Sequence, residues 1–301
     1  MKVLITGASG FLGRKLAERL AKAKNTLVFV SRNAERTKQK LSLKGDYFSW
    51  NYKTEDFPVL ALKGVDAVIH LMGESIASGR WSPKRKKEIY DSRIVSTEKV
   101  IKALPPSVKS FFCGSAIGIY PHSYSMRYTE DTPLQNSGSF LQETGFAWEK
   151  EAMRAKTSAR RVVMLRTGIV LGGAGFLAKM MPIFKLGLGG CIAGGKSFMS
   201  FIHIDDWTAA VEFCLKNKKI KGAVNMTSEK PVTNREFTKT LAKALKRPAF
   251  FHVPGVLLKL ILGEASRLAL DSQYVLPDKL KKNGFRFEFS GLDVALRNIV
   301  V

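Results

Sequence analysis

The sequence predicts an α/β fold: a Rossmann-type, doubly wound parallel sheet with a smaller C-terminal α/β substrate domain. Three observations predict it. Apolar, β-branched runs alternate with amphipathic helical stretches from Lys2 onward, a glycine-rich turn separates the first strand from the first helix, and the texture becomes irregular and glycine-rich after Gly172. Strand–helix alternation requires crossover connections, and these produce a parallel sheet covered on both faces. The boundary falls at 1–172 for the first domain and 173–301 for the second, with a strand at 222–226 as a candidate to rejoin the main sheet.

Each element follows from its pattern. Lys2–Thr6 is a short apolar strand, and Phe11 to Ala21 places Phe11, Leu12, Leu16 and Leu20 at helical spacing with Arg14, Lys15, Glu18 and Arg19 facing out. Thr26–Ser31, Ala67–Leu71, Ser110–Gly114 and Arg161–Arg166 read as buried strands. Long helices are expected over about Ser82 to Leu104 and Phe140 to Ala155. In the second half Phe176 to Leu188 is amphipathic, and helices follow at Asp205–Leu215 and Asn234–Leu245. Thr233 stands as N-cap of the last, with Glu236 at capping-box spacing.

Composition limits the function classes. With 301 residues, 45% hydrophobic and 25% charged, the chain is long enough for a large core, and disorder and collagen-like repeats are excluded. Cys113, Cys191 and Cys214 are too scattered for a disulfide framework or a metal site, and with no leader-like segment after Met1 a reducing, cytoplasmic setting is expected. No apolar run reaches the roughly 18–20 residues that span a bilayer. No metal is expected, since His203 has no second histidine at ligand spacing. The formal charge of +24 attracts polyanions or phosphorylated ligands. Its basic residues lie in short clusters, such as Lys84–Lys87 and Lys216–Lys219, without interleaved aromatics, so nucleic-acid binding is the minor reading.

The strongest motif is Thr6-Gly7-Ala8-Ser9-Gly10-Phe11-Leu12-Gly13. The chain must turn sharply, its backbone must approach a pyrophosphate, and the helix must offer free N–H groups and partial positive charge. A strand before and a helix after make the glycine spacing specific for a dinucleotide. At the end of the next strand stands Ser31-Arg32-Asn33, with no carboxylate for a ribose 2′-hydroxyl. Arg32 suits a 2′-phosphate, so NADP(H) is favoured over NAD(H). Arg14 and Lys15 are candidates to add to that charge.

TGASGFLG, HLMGES at 70–75, RWSPKRKKEIYDSR at 80–93, SAIGIY at 115–120, LRTGIVLG at 165–172, LGLGG at 186–190 and FIHIDD at 201–206 resemble the extended, atypical short-chain dehydrogenase/reductases. Within these the chain is most similar to the "epimerase family protein" branch of the NAD-dependent epimerase/dehydratase superfamily, often labelled nucleoside-diphosphate-sugar epimerases. The tail, including Pro248–Pro254 and Gly284–Phe287, resembles that branch's extra segment, here 248–298. The resemblance implies that Thr6 to Gly13 hold the pyrophosphate and that Ser31 and Arg32 hold the adenosine ribose phosphate. It places Leu71 and Met72 near the adenine-side ribose and bridging phosphates, Glu88 and Arg93 along the cofactor, Ser115 near the nicotinamide, and Val170 after the sixth strand. It also makes His203-Ile-Asp205-Asp206 an element joining the two domains, with Asp205 capping the following helix.

The pattern departs from a dehydrogenase at the catalytic helix. A Tyr-x-x-x-Lys pair is usual there, the Lys lowering the Tyr pKa. This helix has Phe146-Ala-Trp-Glu-Lys150, and Phe transfers no proton. Candidate acids or bases elsewhere are Ser115, Tyr120, Glu74 and Lys150, followed by His122, Tyr124, Tyr128 and His203. Trp148 is expected in the core, and Trp81 fits either core or site. The expected function is an SDR-type oxidoreductase or epimerase-like protein acting on a small substrate. A non-catalytic NADPH sensor or partner-binding module is the alternative. The sequence does not specify the oligomeric state.

Overall fold

The structure, a computed structural model, describes residues 1–157 and 160–300. β1 (Lys2–Thr6) buries every side chain after Lys2, as an apolar, β-branched run inside a sheet should. α1 (Phe11–Lys22) turns Leu16, Ala17 and Leu20 inward. β2 (Thr26–Ser31), α2 (Ala34–Leu41), β3 (Asp46–Ser49) and β4 (Ala67–His70) follow. α3 (Pro83–Ala103) is capped by Ser82, whose Oγ accepts from the Arg85 amide, and begins on Pro83, where a missing N–H costs no helical hydrogen bond. β5 (Ser110–Ala116), the two-residue β6 (Arg127–Tyr128), α4 (Phe140–Met153) and β7 (Arg161–Thr167) complete the first half.

The second half contains β8 (Ile169–Leu171), α5 (Phe176–Lys185), β9 (Gly190–Ile192), β10 (Phe198–Met199), β11 (Phe201–His203) and α6 (Ile204–Lys216). It continues with β12 (Gly222–Met226), β13 (Val232–Thr233), α7 (Asn234–Leu245), β14 (Phe251–Val253) and α8 (Gly255–Leu262). The one-turn α9 (Arg267–Leu270), β15 (Tyr274–Val275), α10 (Asp278–Lys282) and α11 (Leu292–Val300) end the described chain. Thr233 caps α7 as its sequence predicts, accepting from the Glu236 amide at 3.2 Å. Asp205 does not cap α6. His203 takes that place, its Nδ1 accepting from the Asp205 amide at 3.2 Å, and the Asp205 carboxylate faces solvent.

Seven strands form the central sheet in the order β12-β7-β5-β4-β1-β2-β3, all parallel. The strand at 222–226 thus rejoins the main sheet, pairing with β7 from Gly222↔Val163 to Met226↔Thr167. One face of the sheet packs Ile5, Phe112 and Leu165 under α1 and α6, with Leu16 and Trp207. The other packs Val68, Phe111 and Met164 under α3 and α4, with Val100 and Trp148. A third cluster holds the second half together, where Phe184, Phe201 and Phe237 meet Leu292 and Leu296 of the tail. The chain reverses direction between β1 and β4, leaving the strand-order switch at their carboxyl ends.

Phe112 is fully buried at the centre of β5 and carries the Arg161 guanidinium 5.1 Å from its ring centroid. Phe112→Ala is expected to lower the unfolding free energy by about 3–5 kcal/mol, read from the urea midpoint. An unchanged midpoint would contradict this placement of the core.

Candidate functional site

The glycine loop leaves β1 at the carboxyl edge of the sheet. Gly7 takes φ +71°, and a Cβ there would lie 2.9 Å from the Leu71 carbonyl at the end of β4. Gly13 sits against the loop itself, since a Cβ on it would lie 2.3 Å from the Gly7 oxygen. Gly10 starts α1 without any side-chain cap, and the first turn holds no acidic residue. The amides after Gly10 therefore face the sheet edge with their partial positive charge unanswered by any carboxylate of that turn. Thr6, Ser9, Phe11 and Leu12 line the same loop, and Lys40 Nζ reaches the Ser9 carbonyl at 2.6 Å.

Beneath the loop Thr6 Oγ1 meets His70 Nδ1 at 2.8 Å, and His70 Nε2 meets Ser96 Oγ at 3.0 Å. His70 is wholly buried, and desolvation lowers its pKa to about 3, so the imidazole is neutral. A cleft of about 620 Å³ flanks the loop, with Arg14, Lys15, Lys40, Gly172, His203 and Asn298 in its wall. Arg14 and Lys15 both lie within salt-bridge reach of Glu18, at 3.3 and 3.4 Å, so much of their charge is answered on the helix surface.

At the end of β2 the two predicted ligands part company. Ser31 is buried and its Oγ serves the turn, donating to the Asn33 carbonyl at 3.0 Å and lying 2.8 Å from Thr37 Oγ1. Arg32 points into solvent, 77% exposed, with Glu74 Oε1 at 3.6 Å. Glu74 also lies 3.6 Å from Arg85, which binds Glu88 at 2.9 Å, so Glu74 and Glu88 belong to one alternating ion-pair chain. Arg93 lies below the 71–74 segment. Its guanidinium lies 3.3 Å from where a Gly73 Cβ would be and stacks 5.1 Å from the Trp148 ring centroid, and burial lowers its pKa to about 10. Leu71 and Met72, just past β4, and Val170, in the middle of β8, are half-buried.

Ser115, Arg166 and Asn225 occupy one register row across β5, β7 and β12. Neighbours in a row share a sheet face, and this one faces α4. Glu149 comes down from α4 to accept from Ser115 Oγ at 2.7 Å and from Arg166 Nε and Nη2 at 2.8 Å each. Arg166 Nη1 donates to the Tyr120 hydroxyl at 2.9 Å, and Tyr120 donates to Asn225 Oδ1 at 2.8 Å. All five side chains are buried. Burial also raises the Tyr120 pKa against the lowering effect of Arg166. Lys150, one residue past Glu149, is exposed on the outer side of α4.

Sequence reasoning missed Arg166 and Asn225 and gave Glu149 no partner, although each carries a signal. Arg166 and Asn225 are polar residues near the carboxyl ends of apolar strands, and Glu149 sits inside the buried stripe of α4. Trp148 is core as predicted, donating to Thr97 Oγ1 at 3.1 Å and lying 3.0 Å from where a Gly114 Cβ would be. Trp81 is also buried, against Phe140, with its N–H on the Ile76 carbonyl. Asp206 ties in the tail, its two oxygens accepting from the Glu288 and Phe289 amides at 2.9 Å each.

Two further clefts differ in chemistry and position. One of about 170 Å³ lies at the carboxyl ends of β5 and β7, between Ala116, Thr167, Ile169, Phe198, Met199 and Leu268. Polar side chains at its wall are engaged: Asn234 accepts from the Ile192 amide, Arg267 pairs with Asp271 at 3.0 Å, and Gln273 donates to the Tyr120 carbonyl. The other, about 920 Å³ and lined by Lys109, Lys156 and Lys221, opens at the amino ends of the strands, the wrong edge for a ligand of this fold.

Comparison with known proteins agrees with this fold. The family model of the NAD-dependent epimerase/dehydratase family matches residues 3–226, and that of a domain of unknown function, DUF1731, matches 253–299. Epimerase family protein YfhF of Bacillus subtilis is 35% identical over 100% of this chain and 98% of its own length. The chloroplastic epimerase family protein SDR39U1 homolog of Arabidopsis thaliana is 34% identical, covering 100% of this chain and 87% of its own. The crystal structure of human epimerase family protein SDR39U1 (isoform 2) with NADPH superimposes with a TM-score of 0.89 at 29% identity, over 100% of this chain and 99% of that one.

The buried His70 gives the site a pH signature. Its folded pKa of about 3 lies below the ordinary value of 6.5, so the unfolded chain binds the extra proton. The stability it contributes is whole above pH ~6.5 and falls toward pH ~3 by about 1.4 kcal/mol per unit. His70→Asn is expected to flatten the fall in unfolding free energy between about pH 6.5 and 4.5 by roughly that slope. An equally steep profile in the variant would show that His70 is not the titrating group.

Proposed function

The chain belongs to the NAD-dependent epimerase/dehydratase family, and from that membership we propose that it is an NADPH-binding oxidoreductase acting on a small, largely apolar alcohol–carbonyl pair. The observation that carries the cofactor reading is the solvent-exposed Arg32 guanidinium at the end of β2, only loosely faced by Glu74 at 3.6 Å, with no carboxylate at 31–33. A cation there meets a 2′-phosphate, whereas a carboxylate would hold a 2′-hydroxyl. The loop fits the rest of the dinucleotide. Gly7 and Gly13 leave backbone where a Cβ would intrude, and the amides at the start of α1 suit a diphosphate. Leu71, Met72, Arg93 and Val170 border the path from Arg32 to Ser115. The human relative solved with NADPH supports the same choice.

When bound, the cofactor gives or takes a hydride at C4 of its nicotinamide. The chain's own side chains orient and exclude water more than they move protons. The Ser115 proton is committed to Glu149, which leaves oxygen lone pairs for a ligand. A hydroxyl held this way receives a hydrogen bond from an alcohol rather than giving one to a carbonyl. Tyr120 is equally committed, donating to Asn225 while accepting from Arg166. The 170 Å³ cleft past the end of β5, lined by Ala116 rather than Ser115, suits a compact apolar molecule, and Arg267, its cation, is already paired to Asp271. The phosphates of a nucleoside-diphosphate sugar would need free cations there.

A non-catalytic NADPH sensor is the second reading, favoured by a polar row whose hydrogen-bonding groups satisfy one another. Thermal-shift titration tests the cofactor. NADPH is expected to bind at least about tenfold more tightly than NADH, a difference of about 1.4 kcal/mol. Arg32→Ala is expected to remove the difference, and equal shifts in the native chain would refute the 2′-phosphate reading. Gly13→Ala should abolish binding of both. NADP-dependent turnover of small apolar ketones or alcohols, with none of sugar nucleotides, would support the enzyme, and tight binding without turnover would support the sensor.

A further inference from the structure

α8 has the sequence Gly-Val-Leu-Leu-Lys-Leu-Ile-Leu, and none of its side chains is buried. Val256 is 68% exposed, Leu260 69% and Phe250, just before β14, 90%. Leu257, Ile261 and Phe251 are exposed beside them. β14 pairs with β9, and Pro248 packs 3.4 Å from where a Gly187 Cβ would be, which brings the exposed Leu186 and Leu188 to the same side. Soluble monomers rarely leave so many large apolar side chains together in water.

The charge around this face bears on what it would fit. Between Leu245 and Gly263 the charged residues are Lys246, Arg247 and Lys259, and between Phe176 and Ile192 they are Lys179 and Lys185. Neither stretch contains Asp or Glu, and the next acid, Glu264, is paired to Lys86. A second copy of the chain docking here across a two-fold axis would set these cations against themselves. An anionic bilayer surface takes both features, apolar side chains at the acyl boundary and lysines among the phosphates. At 1.5 Å per residue α8 is about 12 Å long, too short to cross roughly 30 Å of hydrocarbon, so it would lie in the interface.

We propose that α8 and the Phe250–Phe251 pair form a docking surface for anionic lipid bilayers. The surface needs nothing from the cofactor reading, but it lies close to the substrate cleft: Gly255 packs on Leu270, and the 263–270 segment after α8 supplies Arg267 and Leu268 to that cleft wall. A bilayer on α8 therefore sits beside the apolar pocket.

The test is sedimentation of the full chain with vesicles of phosphatidylcholine, with or without about a third phosphatidylglycerol. The protein is expected to sediment with the anionic vesicles and at least about tenfold less with phosphatidylcholine alone or in high salt. Leu260→Gln and Phe250→Gln, both at exposed positions, are each expected to weaken binding about tenfold while leaving the NADPH thermal shift unchanged. Three results would overturn the proposal: no sedimentation with anionic vesicles, binding indifferent to both substitutions, or a solution dimer by light scattering that Leu260→Gln dissociates.

Discussion

α1 can pack against the end of β1 only because position 13 has no side chain, and the approach to the Gly7 carbonyl leaves no room for even a methyl group. Gly7, in the left-handed region, folds the chain back under that contact and brushes the Leu71 carbonyl of β4. One turn thus fixes the helix start at the carboxyl edge of the sheet and the spacing of β1 and β4, and it leaves the first amides of α1 facing outward. His70, buried beneath and held between Thr6 and Ser96, joins β1 and β4 to α3 under the same turn. The rest of the candidate site is arranged around this corner.

The second organising feature is the buried ion pair. Glu149 and Arg166 lose water on burial, a cost of several kcal/mol per ion that only close, multiple hydrogen bonds offset. Here both oxygens of Glu149 accept from Arg166, and Ser115, Tyr120 and Asn225 take up much of what remains. The row links β5, β7 and β12, so the strand at 222–226 is held to the first half by the Tyr120–Asn225 hydrogen bond as well as by the sheet ladder. Glu130 extends the link, accepting from the Asn225 and Lys279 amides. Beside the Phe146-Ala-Trp-Glu-Lys150 stretch of α4, this chain has a buried polar bracket in which Glu149, Ser115, Arg166, Tyr120 and Asn225 hydrogen-bond one another.

Charge and apolarity are unevenly shared over the molecule. The glycine-loop corner and the α8 face are both bordered by cations, yet they differ in what lies between. Bare backbone amides occupy the first and exposed leucines and phenylalanines the second. A net charge of +24 thus acts locally through the groups that each cluster surrounds.

The strand and helix order, the glycine loop, the Thr233 cap and the absence of a carboxylate after β2 were all legible in the sequence, because each depends on residues close together in the chain. Periodicity, capping and φ requirements are local physics. Four features were not legible: the partner of Ser115, the burial of Arg166, the inward turn of the Ser31 hydroxyl and the use of His203 rather than Asp205 as a cap. Each is decided by what stands opposite across the sheet or above the helix. Arg166 in a strand reads the same whether it meets water or Glu149, and an apolar helix such as α8 reads as core until the fold leaves most of its large side chains exposed. The sequence by itself determined the fold and the glycine-loop corner. Only the tertiary structure decided which polar groups are satisfied internally and which apolar face is left open, because desolvation depends on neighbours that are distant in the chain.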